Sequence, residues 1–138
     1  MIGLLIASHG KFSEGIMDAM EMIIGKQERV ASLVLEEGVS PDTLQREFEK
    51  AIEECDSGDG VLILLDLFGG TPSNVAGRLV YNNDQLELIT GINLPMILEV
   101  ALQRKSKKLS ELKDVALTSG QKGIQNVKEW IKESMNKR

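Results

Sequence analysis

The segment Val61-Leu62-Ile63-Leu64-Leu65-Asp66-Leu67-Phe68-Gly69-Gly70-Thr71-Pro72-Ser73-Asn74 decides the fold. Its five opening residues are all apolar, without the alternation of a strand that has one face in water. That pattern belongs to a strand covered on both faces. The run breaks at an acidic residue and a double glycine, and Thr71-Pro72 then reads as a helix start, with threonine as cap and proline at the first helical position. A helix over Pro72 to about Tyr81 is expected. A buried strand that passes through a glycine-rich loop into a helix is the repeating unit of a parallel α/β sheet.

The rest of the chain repeats this alternation. Ile2-Gly3-Leu4-Leu5-Ile6 is a second continuous apolar run. It breaks at Ser8-His9-Gly10 and leads into a helix from Ser13 to Ile24, where Ile16, Met17, Met20, Ile23 and Ile24 fall at helical spacing and Gly25 supplies a stop. Val30 to Leu35 reads as a strand, and Ser40-Pro41 opens a helix whose stripe is Leu44, Phe48, Ala51, Ile52 and Cys55. Leu86 to Ile89 is a further strand, Gly91 to Pro95 a loop and Met96 to about Leu102 a helix core. Val115 to Thr118 reads as a short strand, and Gln121 to Met135 as a final helix with Ile124, Val127 and Ile131 in register. The expectation is one domain over residues 1–138, a three-layer α/β fold with a mostly parallel sheet and helices on both faces.

Composition narrows the function classes. With 42% apolar and 27% charged residues the chain has the make-up of a globular protein that builds a core. The 16 Lys and Arg against 21 Asp and Glu give a net charge of -5, which disfavours nucleic acid, and the short basic run Lys105-Ser106-Lys107-Lys108 reads as solvated surface. The one cysteine, Cys55, has no partner for an internal disulfide and suits a reducing cytoplasm as a small core residue. The one histidine, His9, rules out multi-histidine metal sites, so no metal and no cofactor are expected. No apolar run approaches the ~18 residues of a membrane span, so direct insertion in a membrane is not expected either.

Ligands of open parallel sheets collect beyond the carboxyl ends of the strands. Two loops there carry chemistry. If the strands ending at Ser8-His9-Gly10 and at Asp66 are neighbours, a carboxylate can accept the N–H of one imidazole nitrogen and leave the lone pair of the other free as a nucleophile. The amides of Ser73 and Asn74 at a helix start, the hydroxyls of Ser8, Thr71 and Ser73, and the backbone at Gly70 would then form a phosphate-binding loop. No Walker-type glycine and lysine spacing is present, which argues against nucleotide hydrolysis. Each residue alone also fits a plainer role: His9 on the surface, Asp66 capping a turn, and the double glycine only joining strand to helix.

Leu4-Leu5-Ile6-Ala7-Ser8-His9-Gly10, the run Leu64 to Asn74, and Thr90-Gly91-Ile92-Asn93-Leu94-Pro95-Met96 together resemble the mannose-type IIA component of the bacterial phosphoenolpyruvate-dependent sugar phosphotransferase system. The similarity spans roughly residues 1 to 130, and three motifs in the same order make it specific. The resemblance implies that His9 accepts a phosphoryl group from the histidine-containing phosphocarrier protein and passes it to a IIB component during sugar uptake. Asp66 matches the family's histidine-orienting aspartate, Thr71 its hydroxyl residue after the double glycine, and Asn74 its asparagine after the proline. Phe68, Asn93 and Pro95 become candidates for the partner surface. The family fold implies an antiparallel edge strand, for which Val115 to Thr118 is the candidate, and a homodimer that exchanges it. A free-standing regulatory module and the phosphotransfer subunit of dihydroxyacetone kinase are the alternatives in play.

Overall fold

The computed structural model describes residues 1–137. Among them, four strands alternate with helices and two further helices follow: β1 (Gly3–His9), α1 (Phe12–Ile24), β2 (Val30–Leu35), α2 (Pro41–Cys55), β3 (Val61–Leu65), α3 (Gly70–Tyr81), β4 (Leu86–Thr90), α4 (Leu94–Gln103), α5 (Leu109–Lys122) and α6 (Val127–Asn136). The strands form one sheet in the order β2-β1-β3-β4, with every ladder parallel.

The two faces of the sheet follow from the two-residue period of a strand. Leu4, Ile6, Leu62 and Leu64 point into a core closed by α1, α4 and α5 through Ile16, Met20, Ile97, Val100 and Leu112. Leu5, Ala7, Ile63 and Leu65 point the other way, into a core closed by α2 and α3 through Leu44, Phe48, Val75 and Ala76. All five residues of β3 are buried, as a strand with helices on both faces requires. The α2 start follows its sequence signal: the Ser40 side chain accepts from the Thr43 amide at 3.2 Å ahead of Pro41.

Two expectations fail. Val115–Thr118 is not a strand but the middle of α5, because its neighbours Leu109, Leu112, Ala116 and Gly120 recur every three or four residues and all are buried. The described residues therefore contain no antiparallel edge strand, and β2 and β4 are the outer strands. The expected final helix over Gln121–Met135 is interrupted: α5 stops at Lys122, and α6 restarts where the Asn126 side chain accepts from the Glu129 amide at 3.0 Å. None of the residues of α6 is buried. Among the described residues, no helix is long and apolar enough to cross a membrane.

At the far end of the sheet, Arg104 is 1% exposed. Its guanidinium donates to the carbonyls of Ile2 (3.3 Å), Arg29 (3.2 Å) and Glu28 (2.5 Å) and to Gln27 Oε1 (3.4 Å), clamping the entries to β1 and β2. Burial lowers its pKa from the usual arginine value.

Candidate functional site

β1 and β3 are adjacent, with Ala7 paired to Leu65, so the residues that follow them emerge side by side at the carboxyl edge of the sheet. The Asp66 amide extends the ladder one step by donating to the Ala7 carbonyl at 3.1 Å. Its carboxylate thereby turns back on His9. Oδ2 accepts the His9 backbone N–H at 3.0 Å, and His9 Nδ1 stands 3.1 Å from Oδ2 and 3.2 Å from Oδ1. An acceptor-only carboxylate on Nδ1 selects the tautomer with its proton there. Nε2 makes no hydrogen bond among the described residues, and the side chain is 53% exposed. A ring pinned by its back nitrogen with the front one open is arranged to attack an electrophile.

His9 shares a cleft of about 610 Å³ with Lys11, with Glu36 and Glu37 after β2, and with Thr71 and Pro72 at the start of α3. Among the described residues, Lys11 is the only lysine or arginine lining it. Among the described residues, no three His, Cys, Asp or Glu side chains converge as a metal centre needs.

The α3 start differs from expectation. Its cap is Gly69, not Thr71, and Gly69 and Gly70 have φ of +92° and +81°, a left-handed conformation that side-chain-bearing residues resist. The double glycine thus draws the helix start forward. The amides left without a helical acceptor are then those of Gly70 and Thr71, Pro72 having none, whereas the amides of Ser73 and Asn74 enter the helical ladder. Ser73, itself buried, and Asn74 line a neighbouring depression of about 770 Å³ with Phe68 and Thr90, on the β4 side of α3. Thr71 thus lines the same cleft as His9, whereas Ser73 and Asn74 line the neighbouring depression.

Ser8 is fully buried with its hydroxyl engaged inside the protein, so it offers no hydrogen bond to a phosphate in that cleft. Asn93 caps α4: its Oδ1 accepts from the Met96 amide at 3.0 Å and its Nδ2 donates to the Gly120 carbonyl at 2.9 Å, which ties α4 to α5. Pro95 lies against Gly123, where a Cβ would meet its ring. Phe68 is 82% exposed. Leu67, beside it in the loop after β3, and Phe12, the first residue of α1, are exposed as well. Sequence reasoning passed over Leu67 and Phe12. The available signal was two consecutive apolar residues in a loop otherwise built of glycine and polar groups.

Residues 3–117 match the family EIIA-man, PTS system fructose IIA component. The chain is 32% identical over 128 residues to the PTS system mannose-specific EIIAB component of Escherichia coli (strain K12), covering 92% of this chain and 40% of that protein. It is 29% identical over 131 residues to the PTS system fructose-specific EIIA component of Bacillus subtilis (strain 168), covering 95% of this chain and 90% of that one. The crystal structure of phosphotransferase system component EIIA from Streptococcus agalactiae superposes with a TM-score of 0.83 at 31% identity, covering 94% of this chain and 99% of that chain. The chain spans 40% of the length of its mannose-specific EIIAB relative, and the family match over residues 3–117 includes His9 and Asp66. On a family match over most of its length and a fold shared with solved EIIA proteins, the chain belongs to the mannose-type IIA family of the phosphotransferase system.

Proposed function

We propose that this protein is a phosphoryl carrier of a sugar phosphotransferase system, working in the cytoplasm: His9 takes a phosphoryl group from the histidine-containing phosphocarrier protein and gives it to a IIB component. The observation that carries this reading is the Asp66 carboxylate 3.1 and 3.2 Å from Nδ1 of a half-exposed ring. The neutral imidazole attacks phosphorus with the Nε2 lone pair. The donor's P–N bond breaks with its electrons returning to the donor's nitrogen, and the Nδ1 proton stays against Asp66. As the ring acquires positive charge the carboxylate stabilises it, and we read the Thr71 hydroxyl, in the same cleft, with the free amides of Gly70 and Thr71, as the groups that receive the phosphoryl oxygens. Transfer to a IIB component is the same displacement in reverse.

Incubation with phosphoenolpyruvate, the system's first enzyme and the phosphocarrier protein is expected to add one acid-labile phosphate per chain, and none to His9→Ala. Labelling that persists in a folded His9→Ala protein would refute the assignment.

We also read the chain as a homodimer. Support comes from α6, whose apolar residues Val127, Trp130, Ile131 and Met135 are all exposed in the single chain. The groove between α4 and α5 is net acidic, with Glu99, Glu111 and Asp114 against Lys122, and α6 carries Lys128 and Lys132 beside Glu129 and Glu133, so the apolar residues of α6 more than its charges make a second copy of this chain a fitting occupant. Strand exchange through Val115–Thr118 is not available, since that segment is helical.

A further inference from the structure

We infer that Ser8 is a positioning residue for His9, its buried hydroxyl locking the turn that aims the imidazole. The inference rests on the reading of His9 as the phosphoryl acceptor. Ser8 is 0% exposed. Its Oγ accepts the Ser13 N–H, in the first turn of α1, at 2.6 Å and donates to the Gly10 carbonyl at 3.1 Å. One hydroxyl therefore spans the turn, tying Ser8 across His9 to Gly10 and on to Ser13.

The other polar groups of the turn are also fixed. The His9 N–H goes to Asp66 Oδ2 at 3.0 Å and the Gly10 N–H to the Leu35 carbonyl at 3.4 Å. Ser13 in turn donates from its own hydroxyl to the Leu33 carbonyl at 3.3 Å. The His9 backbone is thus moored to the β3 loop through Asp66, to β2 through Leu35 and Leu33, and to α1 through Ser8. Gly10, with φ of +57°, is the flexible member, and the Ser8 hydroxyl is what holds its carbonyl. With Ser8 buried, a lost hydroxyl leaves a donor and an acceptor without partners, and the turn relaxes to recover them. Displacements near 1 Å at a nucleophile cost up to about 100-fold in rate, so relaxation here acts on His9 although Ser8 meets no phosphate.

Threonine and valine at this position have the same shape and differ in the hydroxyl alone. Ser8→Thr is expected to transfer phosphate within about threefold of wild type, and Ser8→Val about 10- to 100-fold more slowly. The second readout is the 15N shifts of the His9 ring across pH, which report tautomer and Asp66 contact without any phosphotransfer. Ser8→Val is expected to lose the Nδ1–H tautomer preference, while Arg104→Met, destabilising at the opposite end of the sheet, keeps it. Should Ser8→Val not fold, Ser8→Ala, which only removes atoms, takes its place. Equal transfer rates and ring shifts in the Thr and Val proteins, or in Ser8→Ala and wild type, would overturn the inference. An unphosphorylated wild-type protein would instead remove the phosphocarrier reading, with the ring shifts still deciding the role of Ser8.

Discussion

Replacing Asp66 separates orientation from charge. In the proposed attack by Nε2 the ring moves towards an imidazolium, and Nδ1 sits 3.1 Å from the nearer carboxylate oxygen. A full unit charge at that distance interacts by roughly 1.3 kcal/mol in bulk water and roughly 5 kcal/mol at an effective dielectric of about 20. About half of the charge has developed at the transition state, which leaves roughly 0.7 to 2.7 kcal/mol, or about 3- to 100-fold in rate. The carboxylate is 18% exposed and the imidazole 53%, so the pair lies between the two limits. The expectation is about 20-fold for loss of charge alone.

Asp66→Asn adds a second effect. Oδ2 serves both the His9 backbone N–H and Nδ1, and an asparagine oxygen in that place keeps both bonds. Its NH2 group then stands where Oδ1 was, 3.2 Å from Nδ1, and it can donate there and stabilise the ring protonated on Nε2, which has no lone pair to attack with. Asp66→Asn is therefore expected to transfer as slowly as Asp66→Ala or more slowly, both at least threefold below wild type. Quenched-flow phosphorylation by the phosphocarrier protein measures this, with unfolding curves as the control for folding. Wild-type rates in both variants would show Asp66 to be a turn residue, and the electrostatic argument would fall.

Further predictions address stability and assembly. Arg104→Met removes four hydrogen bonds from a buried cation, but it also relieves the desolvation that lowers the Arg104 pKa, so the net loss is about 2–4 kcal/mol and roughly 6–12 °C in Tm; an unchanged Tm refutes the clamp. Light scattering at micromolar concentration is expected to give twice 15.2 kDa, and Trp130→Asp with Ile131→Asp to give the single-chain mass; a wild-type monomer removes the dimer. Burial first, and the Asp56 charge second, push the Cys55 thiol up from 9.0 to about 11. The unfolded chain releases this proton near its ordinary value while the folded chain still holds it, so the stability linked to the neutral thiol is intact below pH 9.0 and is lost as pH rises towards about 11. Denaturant curves across that window are expected to show a steeper loss in wild type than in Cys55→Ala, and parallel losses would contradict it.

The strands were legible because a continuous apolar run such as Val61–Leu65 has little choice but a position with both faces covered. Val115-Ala116-Leu117 was misread for the same reason inverted: three apolar residues in a row also occur where a helix stripe passes obliquely, and the deciding residues, Leu109, Leu112 and Gly120, lie outside the triplet. The α3 start was placed too late because Thr71-Pro72 is a good cap signal locally. The preceding glycines open a backbone conformation that a propensity argument does not weigh. Arg104 stands beside a lysine-rich run that is mostly solvated, and nothing in the sequence marks it as the member that turns inward; its acceptors, Ile2, Gln27, Glu28 and Arg29, are far away along the chain. Ser8 was readable as polar and adjacent to His9, but only its burial shows that the hydroxyl looks inward.

The placement of His9 beside Asp66 follows from topology more than from either residue. From β1 the chain leaves through α1 on one face towards β2, and from β3 it leaves through α3 on the opposite face towards β4, on the other side of the sheet. The two outgoing loops diverge at the one place where the strand order reverses, and a crevice opens between them at the carboxyl ends of β1 and β3. Any residue pair just past those ends would meet there. Register supplies the rest: with Ala7 against Leu65 and the Asp66 amide on the Ala7 carbonyl, the carboxylate has one residue of reach, enough for both the backbone N–H and the ring of His9. A slip of one residue would offer Leu65 or Leu67 instead, and neither can hold a proton on Nδ1. The buried, featureless β3 is in this sense part of the site, since its packing on both faces fixes the register on which the histidine–carboxylate contact depends.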